Sequence, residues 1–238
     1  MIVLGLLLLL LAAAPTAAEE RMELHLVLAI DVSASVNDEE FDLQRSGYAM
    51  ALRSRVVGAA VEQAPGGVAI AIVQWSSVML QELGLDWVML RSRDDTLAYA
   101  DTVAAMPRRL PGGGTMIHSG LEFAARLLET APGSARRQVI DLSGNGASDD
   151  PDRLHETRAR LVRQGVVINA LAIEELNYKD LTSYFYTHVV GGEGAFVVTA
   201  DEFEDIATAM QIKLYREISG AAVSTLPGLS PRDLAGAR

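Results

Sequence analysis

The chain is 238 residues long and carries 20 Lys and Arg against 31 Asp and Glu, a formal net charge of −11 with a pI near 4.8. That balance argues against nucleic acid or an anionic membrane surface as a partner, since both would be repelled, and no basic run or basic amphipathic helix offsets it. Cysteine is absent, so neither a disulfide nor a lipidated cysteine is available and stability must come from packing alone.

Residues 1–11 are almost entirely Leu and Val, followed by the small-residue stretch 12–18 and the acidic pair Glu19-Glu20. This is the pattern of a secretory signal peptide over 1–18, cleaved before Glu19; the apolar core is too short for an ordinary membrane span. The first residues carry no Lys or Arg, which leaves an uncleaved N-terminal anchor as the alternative. Cleavage implies a periplasmic or secreted protein with no membrane insertion. About 220 residues remain, enough for one α/β domain with a sizeable core.

Residues 25–30 form a short continuous apolar run, the pattern of a buried parallel strand. Asp31-Val32-Ser33-Ala34-Ser35 follows it directly. A carboxylate and two hydroxyls at alternate positions then meet at a strand tip, where open α/β sheets bind ligands, and three hard oxygens suit a small hard cation. The alternative is a helix start in which Ser35, Asn37 or Asp38 is only an N-cap.

Apolar residues Phe41, Leu43, Tyr48, Leu52, Val56, Val57, Ala60 and Val61 predict a helix over 38–63, stopped by Gly66-Gly67. A second apolar strand spans 68–75, and Ser76-Ser77 turns it into an antiparallel edge partner at 78–83. A helix over 94–106 ends at Pro107. The glycine-rich loop Pro111-Gly112-Gly113-Gly114-Thr115 feeds a helix over 116–128, and Pro132-Gly133 precedes a strand over 137–142.

That strand runs into Ser143-Gly144-Asn145-Gly146. A helix over 151–163, a strand over 166–173, a short helix over 178–187 and a strand over 195–199 come next. A terminal helix spans 201–218, capped by Asp201. Alternating strands and helices give the fold class α/β: a doubly wound, mostly parallel sheet with helices on both faces and one antiparallel edge strand. The segment 219–238, with Pro227, Gly228, Pro231 and Gly236, has no periodicity and reads as a disordered tail.

Three loops thus gather at the carboxyl edge of the sheet: Asp31-x-Ser33-x-Ser35, Gly113-Gly114-Thr115 and Ser143-Gly144-Asn145-Gly146. On these residues the sequence resembles the von Willebrand factor type A domain, over about 23–218. Val139-Ile140-Asp141-Leu142-Ser143-Gly144-Asn145-Gly146 and Gly113-Gly114-Thr115-Met116-Ile117 make it most similar to a bacterial branch, a domain of unknown function. The resemblance implies a metal-ion-dependent adhesion site in which Asp31, Ser33, Ser35 and Thr115 match the family's ligands. Asn145 departs from the pattern, since the family has Asp there.

An amide carbonyl can face a cation or orient a water but adds no charge. The resemblance therefore implies Mg²⁺ or Mn²⁺ held weakly by Asp31, Ser33, Ser35, Thr115 and Asn145, with Asp149 or Asp150 as possible help. An incomplete shell would accept an Asp or Glu from a protein partner. Two rivals stand beside this protein-binding module: a Mg²⁺-dependent hydrolase such as a phosphatase, and a metal-free scaffold with a degenerate site. The hydrolase lacks support, because Lys179, Lys213 and every arginine fall outside the three loops.

Other motifs are weaker. The glycine-rich loop lacks a Walker lysine, and Ser143 lacks the flanks of a nucleophile elbow. His25, His118, His155 and His188 show no zinc spacing, and His118 reads as a surface residue. Asp141 stands inside an apolar strand and needs a partner, expected as a hydrogen bond to a neighbouring loop. Asp149 and Asp150 most simply charge the next helix N-terminus. Trp75, Trp87 and Tyr184-Phe185-Tyr186 read as core or rim packing.

Overall fold

The structure, a computed structural model, describes residues 21–174, 180–201 and 205–220. The expected leader over 1–18, the tail beyond residue 220, and Tyr178 and Lys179 of one expected helix lie outside these residues. Six strands build one sheet: β1 (Met22–Asp31), β2 (Val68–Trp75), β3 (Gln81–Leu90), β4 (Ala135–Gly144), β5 (Val166–Ile173) and β6 (Val197–Ala200). Their spatial order is β3-β2-β1-β4-β5-β6. Every pairing is parallel except β2 with β3, so the edge strand alone is antiparallel, as the sequence pattern predicts.

The helices are α1 (Asp38–Arg53), α2 (Arg55–Gln63), α3 (Arg93–Ala104), α4 (Ile117–Leu128), α5 (Pro151–Arg163), α6 (Leu181–Tyr184) and α7 (Ile206–Ser219). A π-helical turn, Phe185–Val189, continues α6. Alternation along β1 sorts its side chains between two cores. Leu24, Leu26, Leu28 and Ile30 pack with Phe41, Tyr48 and Leu52 of α1, Val57 of α2, Tyr99 of α3 and Met210 and Leu214 of α7. Val27 and Ala29, on the other face, pack with Ile117 and Leu121 of α4, Leu154 and Leu161 of α5, and Phe185. Burial on both faces explains why β1 and β2 read as unbroken apolar runs.

Chain order sends β2 to one side of β1 and β4 to the other, which opens a crevice at the carboxyl end of β1. The parallel registers place Asp31 beside Trp75, and Ile30 beside Ser143. The first and third loops therefore leave the sheet side by side.

Several element boundaries differ from expectation. The helix over 38–63 is two helices, because Ser54 interrupts the first with an extended backbone and caps the second, its Oγ accepting from Val57 N–H at 3.3 Å. The edge strand starts at Gln81 rather than Val78, since Ser76 N–H donates to Leu80 O and Leu80 N–H to Ser77 O, which holds Val78 and Met79 in the turn. Within the described residues the helix expected over 178–187 is α6 from Leu181, carried on by the π turn to Val189. The last helix is described from Ile206, with Asp205 at its N-cap; residues 202–204 of the helix expected from Asp201 lie outside the described residues.

Candidate functional site

Asp31 ends β1 and is fully buried. Its Oδ1 accepts the Ser33 N–H at 2.7 Å, a local bond that turns the chain out of the sheet. Its Oδ2 has no hydrogen-bond partner. Burial pushes this carboxyl up from 3.8 to about 6; Ser33, the Asn145 backbone and the Arg108 charge oppose the rise. Hydrogen bonds from Ser33 and from the Asn145 backbone thus favour the charged form, and the Arg108 charge adds to them. A buried oxygen left open in this way is costly in water-poor surroundings and is what an absent cation or water would satisfy.

Four of the five expected site residues meet through hydrogen bonds. Ser33 Oγ and Ser35 Oγ lie 3.2 Å apart, Ser35 Oγ donates to Asn145 Oδ1 at 2.6 Å, and Asn145 Nδ2 donates to Ser35 O at 3.4 Å. Thr115 is brought alongside rather than bonded to them: a methyl placed on Gly146 would lie 3.9 Å from Thr115 Oγ1, so its hydroxyl borders the third loop. The same test on Gly144 puts the methyl 3.1 Å from Asp31 Oδ2, so glycine there keeps the carboxylate edge clear.

Backbone and side-chain bonds fix the Thr115 loop from three sides. Ala34 N–H donates to Gly113 O at 2.8 Å, Met116 N–H to Ser76 O at 3.0 Å, and Gly114 N–H to Ser77 Oγ at 2.7 Å. Asp149 Oδ2 accepts the Thr115 N–H at 2.7 Å while Asp149 N–H donates to Thr115 O at 3.0 Å. Asp149 therefore secures this loop instead of charging a helix; Asp150 performs the capping, accepting from Arg153 N–H at 3.0 Å. The exposed Val78 and Met79 stand on the adjoining turn.

Two contributors were not anticipated. Gln44 is buried on α1, donating through Nε2 to Asp31 O at 3.4 Å and accepting Ser143 Oγ at 3.1 Å, so it braces β1 against β4 beneath the site. Its signal was present: it falls between Phe41 and Tyr48 on the apolar helix face, where a polar residue must find partners. Arg108 lies outside the three loops in sequence, but its Nη2 donates to Val32 O and its Nη1 to Asp38 Oδ1, both at 3.1 Å. No periodicity marks it, because it follows Pro107 in irregular chain.

Other expectations are corrected. His118 is buried, not on the surface, since the first turn of α4 is pressed onto the sheet beside Trp75; its Nε2 lies 3.1 Å from Ser119 Oγ. The partner of Asp141 is no loop group but Lys213 of α7, 2.8 Å away. Among the described residues, no group of three or more His, Cys, Asp or Glu could hold a metal. Of the five expected ligands Asp31 alone carries charge, the other four offering neutral oxygens. Such a set fits a hard divalent cation, with less charge compensation than two carboxylates would give. Among the described residues no helix is long and apolar enough to cross a membrane.

A family model described as a protein of unknown function, DUF1194, matches residues 21–222. No curated protein matches the sequence. Proximal thread matrix protein 1 from the mussel byssus, solved with a zinc-occupied MIDAS motif, is 19% identical over 82% of this chain and 46% of its own, with a TM-score of 0.58. The von Willebrand factor domain of the type V pili tip protein Mfa5 from Porphyromonas gingivalis is 13% identical over 89% of this chain and 99% of its own, with a TM-score of 0.57. A von Willebrand factor type A structure from Catenulispora acidiphila is 16% identical over 82% and 43%, with a TM-score of 0.55. This chain spans about half the length of the byssus protein. The fold is that of the von Willebrand factor type A domain.

Proposed function

Because the chain belongs to the DUF1194 family and has the von Willebrand factor type A fold, we propose that it is a secreted or periplasmic protein-binding module that captures an acidic side chain through a divalent cation. Asp31, Ser33, Ser35, Thr115 and Asn145 are the residues that would hold the ion. When bound, the cation offers a coordination position to a partner's Asp or Glu. The observation that carries this reading is the fully buried Asp31 carboxylate with Oδ2 unsatisfied, on a loop whose Ser33 and Ser35 hydroxyls are joined to the Asn145 amide of the third loop. The zinc-occupied MIDAS of the byssus protein and the pilus origin of Mfa5 support a divalent, extracellular role.

The chain's own residues prepare that role. Gln44 and Ser143 fix the floor, Asp149 fixes the Thr115 loop, and Arg108 braces the first loop while favouring ionised Asp31. A single carboxylate leaves a bound dication under-neutralised, which weakens its capture but strengthens its pull on an incoming carboxylate.

One observation favours the metal-free scaffold instead. Asn145 Oδ1 already accepts a 2.6 Å bond from Ser35, so the pocket closes on itself without an ion. An immobilised Asp-containing peptide separates the two readings. In Mn²⁺ it should retain the wild-type chain and release it in EDTA; retention indifferent to EDTA, or to Ser33→Ala with Ser35→Ala, selects the scaffold.

A further inference from the structure

Behind the site, the core holds a group that the proposed function does not use. Lys213 of α7 is fully buried, as are Asp141 of β4 and Glu217 one helical turn further along α7. Lys213 Nζ donates to Glu217 Oε1 at 2.6 Å and lies 2.8 Å from Asp141 Oδ1. The second contact is close but outside strict hydrogen-bond direction, as is that of Glu217, although both side chains lie within interaction reach of the Asp141 carboxyl. Asn169 Nδ2 donates to Glu217 Oε1 at 3.3 Å, and the Phe196 ring lies 5.0 Å from Nζ.

For a purely ionic cluster this is a poor arrangement. Two carboxylates face one ammonium in a fully buried core, where a second ionised carboxylate is strongly disfavoured. Burial, followed by the charge of Glu217, holds the Asp141 carboxyl well above the usual carboxylate range despite the opposing Lys213. Glu217 Oε1, bonded to Nζ at 2.6 Å, is placed to take a proton from the amine, a transfer that changes no net charge.

We propose that Lys213 and Asp141 condense spontaneously into an intramolecular amide, with Glu217 as the proton relay. The Nζ lone pair of the neutral amine attacks Cγ of the protonated Asp141 carboxyl. Glu217 takes the proton from nitrogen and returns one to the departing hydroxyl. The C–OH bond breaks, the Nζ–Cγ bond forms and one water leaves; no oxidant, reductant or further reactant is required. Three features drive the step. The reacting groups are held at contact distance, which supplies a large effective molarity. The amine is desolvated and beside a base. Water expelled from an apolar core is not at hand to reverse the reaction. The product stitches α7 to the centre of the sheet. This inference is independent of the divalent site.

Mass spectrometry of the denatured full-length chain tests it. The protein should be lighter by one water than its sequence requires from its determined N-terminus. Trypsin should leave Lys213 uncut and yield a branched product joining peptide 138–153 to peptide 180–216. Lys213→Arg and Glu217→Gln should each restore the full mass and the separate peptides. A wild-type chain of full mass, cleaved after Lys213, overturns the proposal without reference to any variant. Loss of ammonia with a branch at Asn169 overturns it equally, since the electrophile would then be the amide.

Discussion

Ser35 Oγ donates to Asn145 Oδ1 across 2.6 Å, tying the first loop to the third. The bond works because the amide is neutral and its carbonyl is a good acceptor, and it is also what a cation would have to displace. Asn145→Asp supplies a charge at the same atom. It should raise Mn²⁺ affinity about tenfold or more, given the Coulombic gain of a second carboxylate at ion-contact distance. Calorimetric titration of both proteins checks this; equal affinities would show that the amide is not the limiting feature.

Burying Asp31 has a stability cost that can be read in the metal-free protein. Its folded value of about 6 lies above the ordinary 3.8, so its stabilising proton uptake is complete below about 3.8 and is lost as pH rises through about 6. That gap corresponds to roughly 3 kcal/mol at neutral pH. In EDTA, Asp31→Asn should therefore stabilise the protein at pH 7.5 by up to about that amount and far less at pH 4. Urea unfolding at the two pH values measures the difference. A variant less stable than wild type at pH 7.5 would contradict the penalty.

His25 acts at the opposite end of β1 with the opposite sign. Burial lowers its pKa from 6.5, against a raising contribution from the Pro132 carbonyl, which accepts from Nε2 at 3.1 Å in the tautomer protonated there. A depressed value means that its contribution is present above about 6.5 and is lost as pH falls through the folded pKa. His25→Gln should flatten the decline of the melting temperature between pH 7 and pH 5. An unchanged slope would place the acid sensitivity elsewhere.

Gly120 marks where α4 comes closest to the sheet. A Cβ there would lie 2.7 Å from Trp75 Cγ, and the indole is pinned by its Nε1 donating to Ala29 O at 3.1 Å. Gly120→Ala gains about 1 kcal/mol in helix propensity but overpacks a fixed ring at a cost of about 1–3 kcal/mol. Thermal unfolding should show a net loss of about 1 kcal/mol, and a stabilised variant would mean that the ring moves.

The fold was legible because its signals are local and repeated. Unbroken apolar runs such as 68–73 are buried on both faces, and Gly66-Gly67 or Pro107 ends what precedes it. Of the site, the Asp31, Ser33 and Ser35 pattern and the Asn145 departure were visible, as alternate positions on one turn and as one residue in a motif. Gln44, Arg108 and the Lys213 partner of Asp141 were not recovered. Their contacts span 13 to 99 residues of sequence, and only the folded chain brings them together. The Ser54 break was missed because the apolar period runs through it while the cap is made by a hydroxyl.

The Asp31-centred divalent site is tested most directly by titrating Mn²⁺ into the EDTA-stripped full-length protein, followed by the electron paramagnetic resonance of the free ion, for wild type and for Asp31→Ala. The expected result is saturable binding of one equivalent by wild type and none by the variant. Binding absent from both proteins at millimolar Mn²⁺, or identical in the two, would contradict it.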